Sequence, residues 1–168
     1  MGFHSLKDVL QEQLEDLHSA ETQLTAALPK MAQAAHDEEL QKAFEHHLEE
    51  THDHLRRSKE ALSEIGASTP TGVCQGMKGL IAEGEEMISK GGDPMACDAA
   101  LIGAAQRVEH YEIAAYGTAR QLADDCGYDS VKELMDQTLD EESNADKLLT
   151  KIATGGMFRA GVNRQATV

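Results

Sequence analysis

The sequence predicts an all-α protein, a four-helix bundle with a short extra helix in the crossover between helices 2 and 3. Tryptophan is absent and aromatic residues make up only 4% of the 168 residues, while Ala, Leu, Glu, Gln and Lys dominate, as in helical proteins. Four long segments repeat apolar residues at the three-and-four spacing of one helix face. Short turns pair these segments, and one long connection joins the two pairs.

The first two helices are predicted to form an antiparallel hairpin. Ser5 and Asp8 can form a capping box at the start of helix 1, whose apolar stripe continues to about residue 35. Pro29 lies within this stripe and predicts either a kink or an earlier end of the helix. Asp37 is suited to cap helix 2, which we expect to end near Gly66.

The crossover is predicted to contain a helix of its own. Residues 66–76 are rich in Gly, Pro and hydroxyl residues and indicate a loop, whereas residues 77–89 have an amphipathic pattern. Asp93 followed by Pro94 is a strong start signal for the third long helix, which is expected to run to about residue 125.

The fourth long helix is predicted to begin with a capping box of Ser130 and Glu133 and to end at Gly155. Residues 1–155 then form one bundle with a single long crossover, which is ferritin-like connectivity. Residues 156–168 have no periodicity and are expected to be a C-terminal tail, loose or packed on a neighbour.

The charge and the cysteines limit the classes of partner. A formal net charge of -15 argues against nucleic acid or an anionic membrane and favours a metal ion or another small cation. Three scattered cysteines, Cys74, Cys97 and Cys126, predict free thiols in a reducing compartment. Neither a signal peptide nor a membrane-spanning run is evident, so we expect a cytoplasmic protein.

Two glutamates occupy positions in the helical stripes where an apolar residue is expected. Glu21 lies in the stripe of helix 1 and Glu112 in that of the third long helix, and a buried carboxylate must be protonated, paired or bound to a cation. Glu50 follows Glu21 by 29 residues and Glu142 follows Glu112 by 30. A bundle with this internal repetition brings the four glutamates to one level.

Four carboxylates at one level predict a site for two divalent metal ions, because their mutual repulsion is otherwise large in a low-dielectric interior. Carboxylate oxygens with one or two imidazoles suit iron or manganese, and we expect iron ahead of manganese. His54 and Asp146 lie four residues after Glu50 and Glu142, whereas the Glu-x-x-His motif of di-metal bundles places the partner after three.

Three segments resemble the bacterial YciE/YciF family: residues 19–24 (SAETQL), 47–52 (HLEETH) and 104–117 (AAQRVEHYEIAAYG). The resemblance covers about residues 3–154. It implies a ferritin-like, rubrerythrin-related bundle, an association with stress responses and a homodimer. By resemblance to rubrerythrin, Glu109 and Glu112 would supply two carboxylates from one helix, one of which exchanges on redox change.

The predicted site therefore has seven ligands and two supporting residues. Supporting roles are assigned to His47 and Tyr111, and Tyr116 is expected mainly to pack. Buried salt bridges or a solvated helix face are the alternative for the glutamates, and Glu49 and Glu141 are alternatives in register to Glu50 and Glu142. The predicted metal ligands are Glu21, Glu50, His54, Glu109, Glu112, Glu142 and Asp146.

The leading functional hypothesis is a non-haem di-metal oxidoreductase of peroxidase or catalase type that reacts with dioxygen or peroxide. Glu21 and Glu112 would be terminal ligands, Glu50 and Glu142 bridges, and the electron donor is not defined. A rubrerythrin with its own rubredoxin-like module is disfavoured, because the cysteines form no such module. The alternatives are manganese catalase-like activity and a structural or partner-binding stress protein with a vestigial site.

Overall fold

Six helices make up the regular secondary structure of the residues that this computed structural model describes, 2–156 and 159–166. None of the helices in these ranges combines the length and apolarity that crossing a membrane requires. The helices are α1 (Leu6–Ala34), α2 (Glu38–Glu64), α3 (Gln75–Lys90), α4 (Pro94–Asp125), α5 (Asp129–Thr154) and α6 (Val162–Gln165).

The predicted caps of three helices are confirmed. The Ser5 side chain accepts from the Asp8 backbone N–H while the Asp8 carboxylate accepts from the Ser5 backbone N–H, which is a complete capping box. Asp37 caps α2, and Asp93 caps α4. Pro29 lies inside α1 at an exposed position and the helix continues to its end at residue 34, so the earlier end that the proline allowed does not occur.

The predicted capping box of α5 is wrong. The helix begins at Asp129, one residue before Ser130, and its N-cap residue Tyr128 makes no side-chain cap bond. Gly127, at a φ of 75°, ends α4 with a tight turn in which the Tyr128 backbone N–H donates to the Ala123 carbonyl oxygen. This turn brings the chain directly into α5 and leaves Ser130 inside the first turn.

The four long helices α1, α2, α4 and α5 form the predicted ferritin-like four-helix bundle. The α1–α2 and α4–α5 hairpins pack with α1 against α4 and α2 against α5. The crossover helix α3 lies on α1 and α4. It starts at Gln75, two residues earlier than predicted, because the Cys74 thiol caps it by accepting from the Met77 backbone N–H at 3.3 Å.

The apolar core consists of two clusters with a polar layer between them. One cluster includes Leu14, Leu17 and Met135, and the other includes Leu24 and Leu149. On α1 the layer falls between positions 17 and 24, and the other three long helices also contribute to it. The layer contains the buried side chains of Glu21, His47, Thr51, His54, Glu109, Glu112 and Glu142.

The described part of the predicted tail, residue 156 and residues 159–166, is not a loose segment. Gly155 has a φ of 75° and allows the chain to turn back, so that α6 packs on α4 and α5 and Val162 joins the core at 1% exposure. Arg159 pairs with the carboxylates of Asp37 and Glu39 at the start of α2. Residues 157–158 and 167–168 lie outside the described residues.

Candidate metal centre

The polar layer brings carboxylates and imidazoles of four helices into the middle of the bundle. Helical spacing explains the placement, since residues three, four or seven apart share one face of a helix. All six of the residues lie within helices. The contributing residues are Glu21 of α1, His47 and His54 of α2, Glu109 and Glu112 of α4, and Glu142 of α5.

These side chains form two groups of potential metal ligands that share Glu142. The first is His47, Glu109, Glu112 and Glu142, and the second is Glu21, His54 and Glu142; within each group one ligand atom per residue lies within 4.8 Å of the others. Glu142 faces both groups.

The two carboxylate oxygens of Glu142 have different neighbours. Its Oε1 lies 2.9 Å from His54 Nδ1, and its Oε2 lies 3.5 Å from His47 Nε2. A carboxylate with one oxygen toward each of two ligand groups has the arrangement of a bridge between two metal ions.

His54 is held by groups on the outer side of the cluster. Its Nε2 lies 2.8 Å from Glu141 Oε2, and its Nδ1 faces Glu142 and Glu21. Arg57 holds Glu141 in turn, with Nη1 donating to Oε2 at 2.5 Å and Nη2 donating to Oε1 at 3.0 Å. A carboxylate on one ring nitrogen fixes the orientation of a histidine whose other nitrogen binds metal.

His47 repeats this arrangement at the first group. Its Nδ1 lies 3.5 Å from Glu50 Oε2, and its Nε2 lies 3.6 Å from Glu109 Oε1 and 3.5 Å from Glu142. Both histidines therefore have an acidic partner on the outer nitrogen and the carboxylate cluster at the inner one.

Eight buried ligand-type atoms in this layer have no partner in hydrogen-bonding geometry. Buried polar atoms are bonded in roughly 90% of cases, and each exception costs about 1–3 kcal/mol. A cluster of carboxylates and imidazoles with free lone pairs is the donor set that iron and manganese ions satisfy. The atoms are Glu21 Oε2, His47 Nε2, His54 Nδ1, Glu109 Oε2 and both carboxylate oxygens of Glu112 and Glu142.

The protonation of the layer reflects the same crowding. Burial, as the largest cause, and neighbouring carboxylates raise the pKa of Glu109, Glu112 and Glu142 above the usual range. Burial lowers the pKa of His54, but the carboxylates of Glu142 and Glu21 outweigh it and raise that pKa to about 11. Without a cation, the layer therefore retains protons that a metal ion would displace.

The two tyrosines near the predicted site have different surroundings. Tyr116 is fully buried, and its hydroxyl donates a hydrogen bond to Glu21 Oε1. Tyr111, predicted as a supporting residue of the site, instead donates to Asp16 Oδ2 at 2.6 Å and contacts the Cys74 thiol at 3.0 Å.

Glu50, predicted as a bridging ligand, lies outside both ligand groups. At about 100° per residue it is about 60° around α2 from His47, which takes the inward position. Its side chain is 26% exposed and pairs with His46 and His47. The alternative in register, Glu49, is 85% exposed.

Asp146 also lies outside both groups. Its carboxylate accepts from Gln106 Nε2 at 3.0 Å and lies 3.4 Å from His110 Nε2, which is largely exposed. The remaining predicted ligands, Glu21, His54, Glu109, Glu112 and Glu142, are brought together in the layer, and their binding of metal stays a prediction.

Three residues have roles in the site that differ from those predicted from the sequence. His47 lies within a ligand group rather than beside it, and Glu141 with Arg57 supports His54. Arg57 carries the available signal: it follows His54 by three residues on the same face, and a charged side chain at a core position indicates a buried partner.

The fold and the site define a class of protein, a ferritin-like four-helix bundle with a buried glutamate and histidine cluster able to hold metal. Comparison with known proteins places the chain within a family. The family model described as "Domain of unknown function (DUF892)" matches residues 5–166. Protein YciF of Escherichia coli (strain K12) is 42% identical over 165 residues, 98% of this chain and 99% of that protein.

Solved structures agree. The crystal structure of the E. coli stress protein YciF has a TM-score of 0.86 at 43% identity and covers 89% of this chain and 94% of its own. YcfI from Rhodopseudomonas palustris has a TM-score of 0.86 at 35% identity, covering 89% of this chain and 96% of its own. The chain belongs to the DUF892 family, and the resemblance to YciE/YciF proteins is confirmed.

Proposed function

We propose that this protein is a stress-associated, di-metal protein that reacts with dioxygen or peroxide. The observation that carries the proposal is the position of Glu142 between two groups of buried, unpartnered ligand atoms. The relation to the E. coli stress protein YciF supports the association with stress.

One metal ion would be held by the first ligand group, which includes His47 and both carboxylates of α4, and the other by Glu21 and His54. Glu142 would be shared between them. Carboxylates and two imidazoles suit iron and manganese, and we propose iron ahead of manganese. A pair of redox-active ions supplies the electrons that reduce dioxygen or peroxide.

The chain itself orients the ligands and buries them. Glu141 and Arg57 hold His54, and Glu50 holds His47, so that each imidazole presents a fixed nitrogen to the site. The Tyr116 hydroxyl donates a hydrogen bond to Glu21, so this tyrosine directly contacts one of the proposed metal ligands. Apolar clusters cover the layer on both sides along the bundle.

Metal analysis of protein purified without chelator or added metal tests the proposal. We expect about two iron or manganese ions per chain in the wild type, as the two ligand groups imply. Glu21→Ala and Glu112→Ala are each expected to lose metal, while Glu49→Ala, on an exposed side chain of α2, retains it. Absence of stoichiometric metal in the wild type, even after anaerobic addition of ferrous or manganous ion, would refute the proposal.

A structural or partner-binding stress protein is the second candidate function. A structural role has been suggested for YcfI, which is 35% identical to this chain. In that case Glu21 and Glu112 serve the fold alone, so their alanine variants change stability and metal content stays negligible throughout. Peroxide turnover by the metal-loaded wild type, lost in Glu112→Ala, would exclude a purely structural role.

We also propose a cytoplasmic homodimer, on the strength of the resemblance to YciE/YciF proteins and the free thiols. Light scattering during size exclusion measures the mass directly. A monomeric mass of 18.2 kDa across the working concentration range would refute the dimer.

A further inference from the structure

A cavity of about 110 Å³ lies between α2 and α5, directly beside the candidate metal centre. Its apolar walls include Phe44 and Leu149, and exposed residues of both helices surround its outer side. His47 and Glu109, both members of the first ligand group, line its inner end. The volume is sufficient for several water molecules or a partly hydrated cation.

The remaining exposure of the metal centre is found at this cavity. His47 is 5% exposed and Glu109 3%, whereas Glu21, His54, Glu112 and Glu142 are each 0% exposed. The two cluster residues that line the cavity, His47 and Glu109, are thus the ones nearest to solvent. Nε2 of His47 and Oε2 of Glu109 are also among the buried atoms without a hydrogen-bond partner.

Potential cation ligands lead from solvent into this cavity. His46, 63% exposed at the outer end, has its Nε2 3.6 Å from Oε1 of Glu50, which is 26% exposed. The other oxygen of Glu50 lies 3.5 Å from Nδ1 of the buried His47. The Glu50 carboxylate therefore has one oxygen toward the surface and one toward the metal centre.

We infer that this cavity is the entrance through which divalent cations reach the metal centre, with Glu50 as the transit ligand. The inference rests on the proposed function. The Glu50 carboxylate in the wall attracts a cation, and the apolar residues opposite it offer no ligand that would hold the ion there, so the ion can move on to His47. His47 is then a ligand at the inner end and Glu50 its outer neighbour.

Closing the cavity tests the inference without any measurement of enzyme activity. Ala145 of α5 is a half-buried residue of the cavity wall, and Ala145→Phe fills the space. Ala114→Phe places the same side chain on an exposed position of α4 as the matched control. Stopped-flow absorbance follows the binding of Co²⁺ to metal-free protein, and titration gives the final number of ions.

We expect Ala145→Phe to bind the same number of Co²⁺ ions as the wild type but about tenfold more slowly, which corresponds to a barrier higher by about 1.4 kcal/mol. Ala114→Phe keeps the wild-type rate. Equal rates of Co²⁺ binding in wild type and Ala145→Phe would refute the role of the cavity as the entrance. A wild type that binds neither Co²⁺ nor Mn²⁺ would refute the proposed function itself. If Ala145→Phe does not fold, Ala43→Phe closes the same cavity from α2.

A second variant separates transit from positioning. Glu50→Gln preserves the shape of the side chain but removes its charge. As a transit ligand, Glu50 controls the rate of uptake, so the variant binds Co²⁺ more slowly and its release is slowed in proportion. If the variant changes only the equilibrium affinity and leaves the rate of uptake unchanged, Glu50 merely orients His47 and the transit role is refuted.

Discussion

Replacing Glu112 by glutamine is expected to stabilise the metal-free protein, although it removes a central residue of the site. Both carboxylate oxygens of Glu112 are buried without a hydrogen-bond partner. Burial, and after it the charges of Glu21, Glu142 and Glu109, raises the pKa of Glu112 well above its ordinary value of 4.5. Glutamine keeps the volume and polarity of the side chain but has no proton to retain.

Two estimates of the free-energy cost of burying Glu112 at pH 7 agree. Keeping Glu112 protonated at pH 7 costs about 1.4 kcal/mol for each unit between 4.5 and 7, or about 3 kcal/mol. If it ionises instead, a second ionised carboxylate with an oxygen within 4.8 Å repels it by at least about 3 kcal/mol at an effective dielectric constant of about 20. Glu112→Gln should recover most of this free energy, which raises Tm by about 6–12 °C in a chain of this size.

The gain must depend on pH in a defined direction. A carboxyl with a raised pKa binds its proton more tightly in the folded chain, so the folded state loses stability as pH rises from the unfolded pKa toward the folded one. The advantage of Glu112→Gln is therefore about 3 kcal/mol at pH 7 and less than about 1 kcal/mol at pH 5.

Thermal unfolding of chelator-treated wild type, Glu112→Gln and the exposed control Glu49→Gln at these two pH values measures the effect. Added Mn²⁺ at about a thousandfold excess over Kd should reverse the order, because binding then stabilises the wild type by about 4.1 kcal/mol, more than the advantage of the variant, which lacks a ligand. A metal-free Glu112→Gln that is less stable than wild type at pH 7 would refute the reasoning, since the ionised carboxylate would then support the fold.

Three further variants test other parts of the structure. Arg57→Met removes both hydrogen bonds to Glu141, so metal affinity measured by chelator competition should fall by about 10- to 100-fold. Asp98→Ala deprives two backbone N–H groups at the turn before α2 of their buried acceptor and should lower the free energy of unfolding by about 2–4 kcal/mol, with unchanged metal content. Gly155→Ala brings a Cβ within 2.2 Å of returning backbone at positive φ, so limited proteolysis should cleave the C-terminal segment, whereas Gly103→Ala, in open space, should resist it.

The helices and their pairing could be predicted because each carries its signal locally. Ser5, Asp37 and Asp93 satisfy backbone N–H groups a few residues away, and apolar spacing gives the face that each helix buries. The start of α5 could not be read in this way. Its position depends on the turn at Gly127, and a Ser-x-x-Glu pattern one residue further on competes with it in the sequence.

Which side chains of α2 face the metal centre could not be predicted from the sequence, for a different reason. Following the leucines puts Leu48 and Leu55 on the buried face, but the structure buries His47, His54 and Arg57 and leaves those leucines half-buried. Polar side chains occupy the centre because carboxylates of other helices meet them there, and such contacts between residues far apart in sequence have no local signature. Glu21 and Glu112 were found because their own helices are otherwise apolar at that face.

The position of the polar layer explains why the sign of the Glu112 experiment is decisive. Apolar clusters on both sides of the layer span the bundle, and neither includes the carboxylates, so apolar burial stabilises the fold independently of them. Leucines at positions 17 and 24 show what the α1 face accepts, and a leucine at position 21 would continue it without the cost of burying a charge. Buried carboxylate oxygens without a hydrogen-bond partner, from three helices, oppose folding unless a cation binds them. If the layer had a purely structural role, its carboxylates would instead stabilise the fold when no metal ion is bound.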